Sequence, residues 1–555
     1  MLDAKKLLQY EYFPEELPEC FTSKGLADKY NILKGQAGSY NIPSSPFLFS
    51  IYKGKNARRR MAIPNPLNYM RIVNCIVDNR NDIMELFNAS TISLTKPSSN
   101  QNDTQKRAYN RISNTPTETR RENEKLFSNN SVCIKMDISN FFDSIYTHSV
   151  SWAIHGKADA KANKNDRSKL GNKIDDALQS LNDRQTHGIL VGNAISRIVA
   201  EIILCNIDRE ITNKFPNVNV CRFVDDYSFY ITDKESPTAI ISFVRNQLLE
   251  YDLVLNESKT HVINAPFLLE RSGIDEIKAI STDDAYTYYN RMMILYDKYK
   301  DLSLLKYGFS MINILANQSD FNNLFPLLIH SWVTFPSLAY KILPILYKYK
   351  NSLAAVEKKV LKKALTSVIC NGIELRQETE TVWALWAMTL FGFPIKEELV
   401  RSICASNNDL AIIIVLTYIK EKEYKYYREI VNTLVDRITS ESSDSTDPNK
   451  TIIFFSHWLL VYELVQKEIV VPDVFPCVES NRFFKQMLEN KIDFYDPSIS
   501  PQIIESSTET NLEHGDIIKI LKELVDPQKD EKTKNDLFDS IERIVRGNSG
   551  KWMYE

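Results

Sequence analysis

The 555-residue chain carries 68 Lys and Arg against 71 Asp and Glu, for a formal net charge of -3, with 43% hydrophobic residues and only 15 glycines. That length exceeds what one hydrophobic core usually supports, so two or three domains are expected; near-neutrality excludes a global positive field, and any nucleic-acid contact must rest on local patches. Few glycines argue for a helix-rich protein, and eight scattered cysteines without CxxC or Cys/His spacing argue against zinc and for thiols in a reducing cytoplasm.

The opening MLDAKKLLQYEYFPEELPEC turns acidic and Pro-containing before an apolar run develops, so it does not read as a signal peptide. Next comes KGKNARRRMAIPNP, where Lys53, Lys55, Arg58, Arg59 and Arg60 precede a strand-like MAIP. Such a cluster can grip a triphosphate or a nucleic-acid backbone, although a run of charge is also what a solvated face looks like. The polar stretch Lys96 to Asn123 reads as a surface excursion, and a second, Gly156 to Lys173, interrupts the core.

In SVCIKMDISNFFDSI, Val132, Ile134 and Met136 alternate with Cys133, Lys135 and Asp137, which predicts a strand delivering Asp137 at its end. Standing alone, an Asp after a strand is equally a turn residue or helix cap. Downstream, QTHGILVGNAISRIVAEIILCNIDREI places Gly188 and Gly192 ahead of a helix with Ile195, Ile198, Val199 and Ile202 on an apolar face. Glycines there permit close backbone approach to a sugar or base, or are simply loop chemistry. His187 reads as structural.

CRFVDDYSFYI sets Asp225 and Asp226 between β-branched and aromatic residues, which predicts a hairpin turn. Buried like charges repel unless a cation neutralises them, so the pair reads as a metal-holding turn, with an exposed acidic hairpin tip as the alternative. Phosphoryl transfer needs such carboxylates, because two hard divalent cations about 4 Å apart require acidic ligands from separate strands. Asp137 and the Asp225/Asp226 pair meet that requirement; no G-x-S-x-G elbow supports a serine hydrolase. LVLNESKTHVI then places Lys259 after a strand, where it is either a cation for departing pyrophosphate or a solvated lysine.

Beyond a boundary placed between Asn264 and Ser281, apolar residues recur at three- and four-residue steps, separated by Pro and Asn/Ser breaks, as in NNLFPLLIHSWVTFPSLAYKILPILYKYK. This predicts a stack of antiparallel helices, with an N-cap at Asn407-Asn408 and a linker from Ser440 to Lys450. The apolar runs from Leu410 and Thr451 are too short or too polar for a bilayer span, so no membrane association is expected.

Taken in order, the basic strand, the DISNFF segment, the G-x-x-x-G-x-x-x-S helix, the FVDD hairpin and the NESKT segment resemble the successive motifs of reverse-transcriptase fingers and palm. Phe142, five residues after Asp137, matches the aromatic gate that favours deoxyribonucleotides in such enzymes. Through NARRRMAIPN, YTHSVSWAIHGKADAKANK, QTHGILVGNAISR and RFVDD, the chain is similar to the Abi-type (AbiK-like) abortive-infection polymerases of bacteria, among the defence-associated reverse transcriptases. The resemblance implies an α+β fold, with an antiparallel sheet and helices forming palm and fingers over residues 1–270, then an all-α HEAT-like helical domain over 271–555.

It further implies Asp137, Asp225 and Asp226 as ligands of Mg²⁺ or Mn²⁺, Lys259 as a catalytic cation, and dNTP contacts at Arg58, Arg59, Ile138, Phe142 and Gly192. Several members of that family synthesise DNA without a template from a tyrosine of their own. The implied partners are therefore dNTPs, a DNA product covalently attached to the protein, a non-coding RNA in the templated alternative, and further copies of the chain in a homo-oligomer. Tyr10 and Tyr12 are candidate priming residues, because a terminal segment can enter a cleft; packing on the core is the competing reading. Two departures bear on this: the P-Q-G of most reverse transcriptases is here Leu190-Val191-Gly192, and no primer-grip or thumb pattern follows Val262. Both put ordinary primer-template binding in doubt and favour the Abi-like reading, with a templated RNA-directed DNA polymerase as the alternative.

Overall fold

The computed structural model of the chain describes residues 2–37, 42–54, 57–98, 107–113, 116–127, 129–232, 234–265, 273–282, 284–441 and 452–503. Lys55 and residues 442–450 of the expected linker lie outside the described residues, as does part of the stretch between Lys96 and Asn123.

Strands β1 (Phe47–Gly54) and β2 (Ala57–Ile63) form an antiparallel hairpin. Phe47, Phe49 and Ile51 alternate inward along β1, as the two-residue period of a half-buried strand requires. Strands β3 (Val132–Met136), β4 (Asn219–Phe223), β5 (Asp226–Ile231) and β6 (His261–Asn264) form a second sheet in the order β4-β5-β3-β6, antiparallel throughout. On β3, Ile134 and Met136 face the main core, while Cys133 on the opposite face joins a small cluster with Leu94, Cys221 and Tyr230. Beneath the sheet runs the helix Ala194–Lys214, buried on most of its circumference, with Asn193 as its N-cap.

Among the described residues, every helix or strand after β6 is helical. Asn408 caps the helix Asp409–Glu421 by accepting from the Ala411 amide, as expected. Of the prolines expected as breaks, Pro336 does separate two helices, but Pro326 lies inside the helix Gln318–Thr334 and Pro344 inside Ala339–Lys348. Burial of Phe325, Leu328 and Trp332 on the first, and of Leu343, Ile345 and Leu346 on the second, outweighs the hydrogen bond each proline removes. No described helix is long and apolar enough to cross a membrane.

The N-terminal segment packs against the helical half, on Trp383 and on the stretch around Phe494 and Tyr495. Tyr12 and Phe13 pack against Phe494, Phe21 pairs with Tyr495, and the Trp383 indole donates to the Glu16 carbonyl at 2.9 Å. The stretch expected to be a surface excursion is likewise partly internal: Arg107, Ala108, Tyr109 and Arg111 are buried, because Arg111 pairs with the buried Glu11 carboxylate at 3.4 Å.

Candidate active site

The register of the second sheet brings the acidic residues together. Met136 on β3 stands opposite Tyr227 on β5, and the strands run antiparallel, so the residues one step beyond, Asp137 and Asp226, meet at the same end. The β4-β5 turn is two residues, Val224 and Asp225, closed by the Phe223 and Asp226 pair. One ligand oxygen from each of Asp137, Asp225 and Asp226 lies within 4.8 Å of the others.

Burial comes first in setting the electrostatics. It pushes the Asp225 carboxyl up to about 6, helped by the Asp137 charge and opposed by Lys259 and Arg59. Asp226 opens to solvent on one side but is crowded enough by protein to lose hydration; that loss, with the charges of Asp225 and Asp137, raises it to about 7. Three carboxylates this close, two of them strained toward the neutral form, have the charge and the oxygen donors that a hard divalent cation needs.

Asp137 itself is anchored from one neighbouring segment: the Asn256 side-chain amide donates to its Oδ2 at 2.9 Å, the Asn256 main-chain N–H donates to its carbonyl at 2.8 Å, and Lys259 Nζ lies 3.3 Å from Oδ2. Lys259 does not follow a strand, as the sequence suggests, but ends a 3-10 turn, Glu257–Lys259, immediately before β6. Leu255 makes only an isolated bridge with Ile138, too little to form a strand.

Beside the triad lies a cavity of about 300 Å³ lined by, among others, Lys53, Arg59, Lys259, Lys306, Glu15 and Glu16. Lys259 thus belongs both to the acidic triad and to the basic wall of the cavity. Arg59 faces this space. Arg58, its neighbour along β2, does not: its guanidinium is held by Glu380 at 2.8 Å and 3.0 Å and by the Ser50 carbonyl. Alternate residues of a strand face opposite ways, so only one of the two arginines can serve the cleft.

The other expected contacts fall as follows. The Ile138 side chain is in the core, and Phe142 sits half-buried on the short helix Phe141–Ser144, its ring 5.2 Å from that of Phe141. Gly192 has a positive φ of +107°, and a Cβ there would meet Pro14 at 2.6 Å and Met61 at 2.8 Å. The close approach its missing side chain permits is made by the chain's own N-terminal segment. Tyr12, a priming candidate, is fully buried and donates its hydroxyl to the Pro64 carbonyl at 2.6 Å. It is a core residue and cannot reach the triad without unpacking; Tyr10 is half-buried and packs on the same core.

Sequence reasoning missed Asn256, although it opens the NESKT segment. It also missed Arg222, whose signal was an arginine inside an otherwise apolar strand. Arg222 is fully buried and binds Asp208 and Glu201 at 2.7 Å and 3.0 Å. Burial would raise the Glu201 carboxyl, but Arg222, Thr95 and Ser93 hold it below the usual range.

Residues 51–288 match the family described as reverse transcriptase (RNA-dependent DNA polymerase). No curated protein matches the chain. Among solved structures, apo telomerase from Candida tropicalis is similar at 12% identity and a TM-score of 0.31, over 71% of this chain and 69% of that one. Telomerase from Candida albicans in complex with a fragment of telomeric RNA is similar at 11% identity and a TM-score of 0.28, over 77% of this chain and 67% of that one.

Proposed function

Because residues 51–288 are a reverse transcriptase domain and the chain is thereby a nucleotidyltransferase of the DNA polymerase type, we propose that it is an Abi-type anti-phage defence polymerase of the bacterial cytoplasm. In this reading it adds dNTPs without a template and starts from a tyrosine of its own. The observation that carries the reading is the approach of Asp137, Asp225 and Asp226 to within 4.8 Å, beside a cavity to which Lys53, Arg59, Lys259 and Lys306 contribute cations. Mg²⁺ or Mn²⁺ held by these three carboxylates supplies the charge that activates an attacking hydroxyl and neutralises leaving pyrophosphate.

The chain's own residues divide the remaining work. Lys53 and Arg59 face the cavity and would bind the triphosphate; Lys259, between cavity and triad, would neutralise or protonate the pyrophosphate oxygen as it leaves. Phe142 would stand beneath the sugar as the gate against a 2′-hydroxyl. Support for template-free synthesis comes from Pro14 and Met61, which fill the space that the missing side chain of Gly192 leaves open. We divide the chain into a fingers and palm unit over 1–270 and a helical unit over 271–555, and read the latter as HEAT-like because helix pairs such as Ala355–Glu374 and Glu378–Leu390 stack in sequence. Assembly into a homo-oligomer belongs to the same reading.

Purified protein incubated with each labelled dNTP and Mn²⁺, then run on denaturing gels with and without protease, tests the proposal. Label that remains on the polypeptide in the absence of nucleic acid is the expected result, and it should vanish in Asp137→Ala and in the Asp225→Ala/Asp226→Ala double variant. Product that requires co-purified RNA and mirrors its sequence would establish the templated reaction instead.

A further inference from the structure

Val224, the first residue of the two-residue turn that carries Asp225, has a φ of +56°. A β-branched residue in this region is strained, because its Cβ crowds the backbone, and hairpin turns normally put Gly, Asn or Asp there. Left to itself, such a turn would relax toward negative φ and re-aim the Asp225 carboxylate.

Two contacts hold both polar groups of that residue's backbone. Arg222 Nη1 donates to the Val224 carbonyl at 2.7 Å, and the Val224 amide donates to Thr95 Oγ1 at 3.1 Å. Each contact is backed from below. The Thr95 hydroxyl donates to Glu201 Oε1 at 2.6 Å, Glu201 Oε2 and Asp208 both accept from Arg222, and Asp208 also accepts from Ser90 and Tyr227. The segment bearing Thr95 is fixed to β4 by reciprocal bonds, Arg222 N–H to the Ile92 carbonyl at 2.8 Å and Leu94 N–H to the Arg222 carbonyl at 2.9 Å. Arg222, Glu201 and Asp208 are each at most 3% exposed, so this network is a rigid, water-excluded support.

We infer that Thr95 and Arg222 are positioning residues that lock the strained Val224 turn and so preset Asp225 and Asp226 for metal binding. The buried ion network is the anchor that makes the lock stiff. The inference rests on the reading of Asp137, Asp225 and Asp226 as metal ligands. It adds that their geometry depends on a hydroxyl that touches neither metal nor substrate.

Thr95→Val is the informative variant, since it is nearly isosteric, removes the acceptor for the Val224 amide and leaves the Arg222 pairs intact; removing Arg222 would strand two buried carboxylates. Thermal unfolding of the full chain is followed against Mn²⁺ concentration, without dNTP. The Mn²⁺ concentration giving half the rise in Tm should increase about tenfold in Thr95→Val, the effect of one hydrogen bond. It should return toward wild type in Thr95→Val/Val224→Gly, because glycine adopts positive φ without strain. A Mn²⁺ response that survives Asp225→Ala overturns the metal-site reading and the inference with it. A response lost in Asp225→Ala but unmoved in Thr95→Val, or moved but not rescued by Val224→Gly, overturns the inference alone.

Discussion

Pro14 occupies the space a side chain at residue 192 would need: a Cβ on Gly192 would lie 2.6 Å from Pro14 Cγ, and the backbone there has a φ of +107°. Glycine at this position is therefore required by the N-terminal segment as well as by the loop. Gly192→Ala has no free direction in which to relax, since Met61 closes the other side at 2.8 Å. The expected cost is about 1–3 kcal/mol from overpacking and strain together. Urea unfolding reads it, and an unaltered midpoint would show that the N-terminal segment yields easily.

A sharper contrast separates two neighbouring arginines. Arg58 is bound to Glu380, whose side chain is 5% exposed, whereas Arg59 lines the cavity. Arg58→Ala leaves a buried carboxylate unpaired and should destabilise the protein by about 3–5 kcal/mol. Replacing both partners, Arg58→Met with Glu380→Met, should recover much of that loss. Arg59→Ala should leave Tm close to wild type and raise KM for dNTP, about tenfold for one lost charged contact. Denaturant melts and incorporation kinetics on the same four proteins decide the matter.

What could be read in the sequence followed from short-range rules. The alternation through Val132, Ile134 and Met136 and the acidic hairpin are local patterns, although the turn itself is Val224-Asp225 and Asp226 opens β5; the antiparallel register then brings their ends together. The facing of Arg58 against Arg59 was not legible, because it depends on Glu380, 322 residues away along the chain. Packing of Tyr12 on the core was one of its two readings, but its partners, Tyr69 and Phe494, were hidden for the same reason. The prolines at 326 and 344 misled in the opposite sense: a local breaker was overruled by tertiary burial.

Lys259 joins the triad to the cavity, yet its side chain is 64% exposed and its ion pair among the described residues is with Asp137, at 3.3 Å. Stability should hardly depend on it. Lys259→Met is expected to lower the rate of incorporation by about 10²-fold, the usual contribution of a positioned general acid, with Tm within a degree or two of wild type. Lys259→Arg keeps the charge but not a transferable proton, so it should recover binding of dNTP without recovering the full rate. Single-turnover incorporation across these variants separates the two roles; equal rates in Lys259→Met and wild type would remove Lys259 from the chemistry.

The helical half holds a buried acid whose titration should be visible in the stability of the whole chain. Glu463 is 1% exposed and accepts from the Phe494 amide at 2.7 Å, in the same cluster that packs Tyr12 and Trp458. Burial pushes its carboxyl up to about 8, against the opposing pull of Lys467. A raised pKa means the folded state keeps a proton that the unfolded chain releases near the ordinary glutamate value. The stability it confers is therefore complete below about 4.5 and is lost as pH rises toward about 8, at roughly 1.4 kcal/mol per pH unit for one proton. Glu463→Gln mimics the protonated form and should flatten that contribution, so the difference in unfolding free energy between variant and wild type should widen from pH 5 to pH 8. Guanidinium melts at four pH values test this; parallel stability curves would show that Glu463 is ionised in the native state throughout.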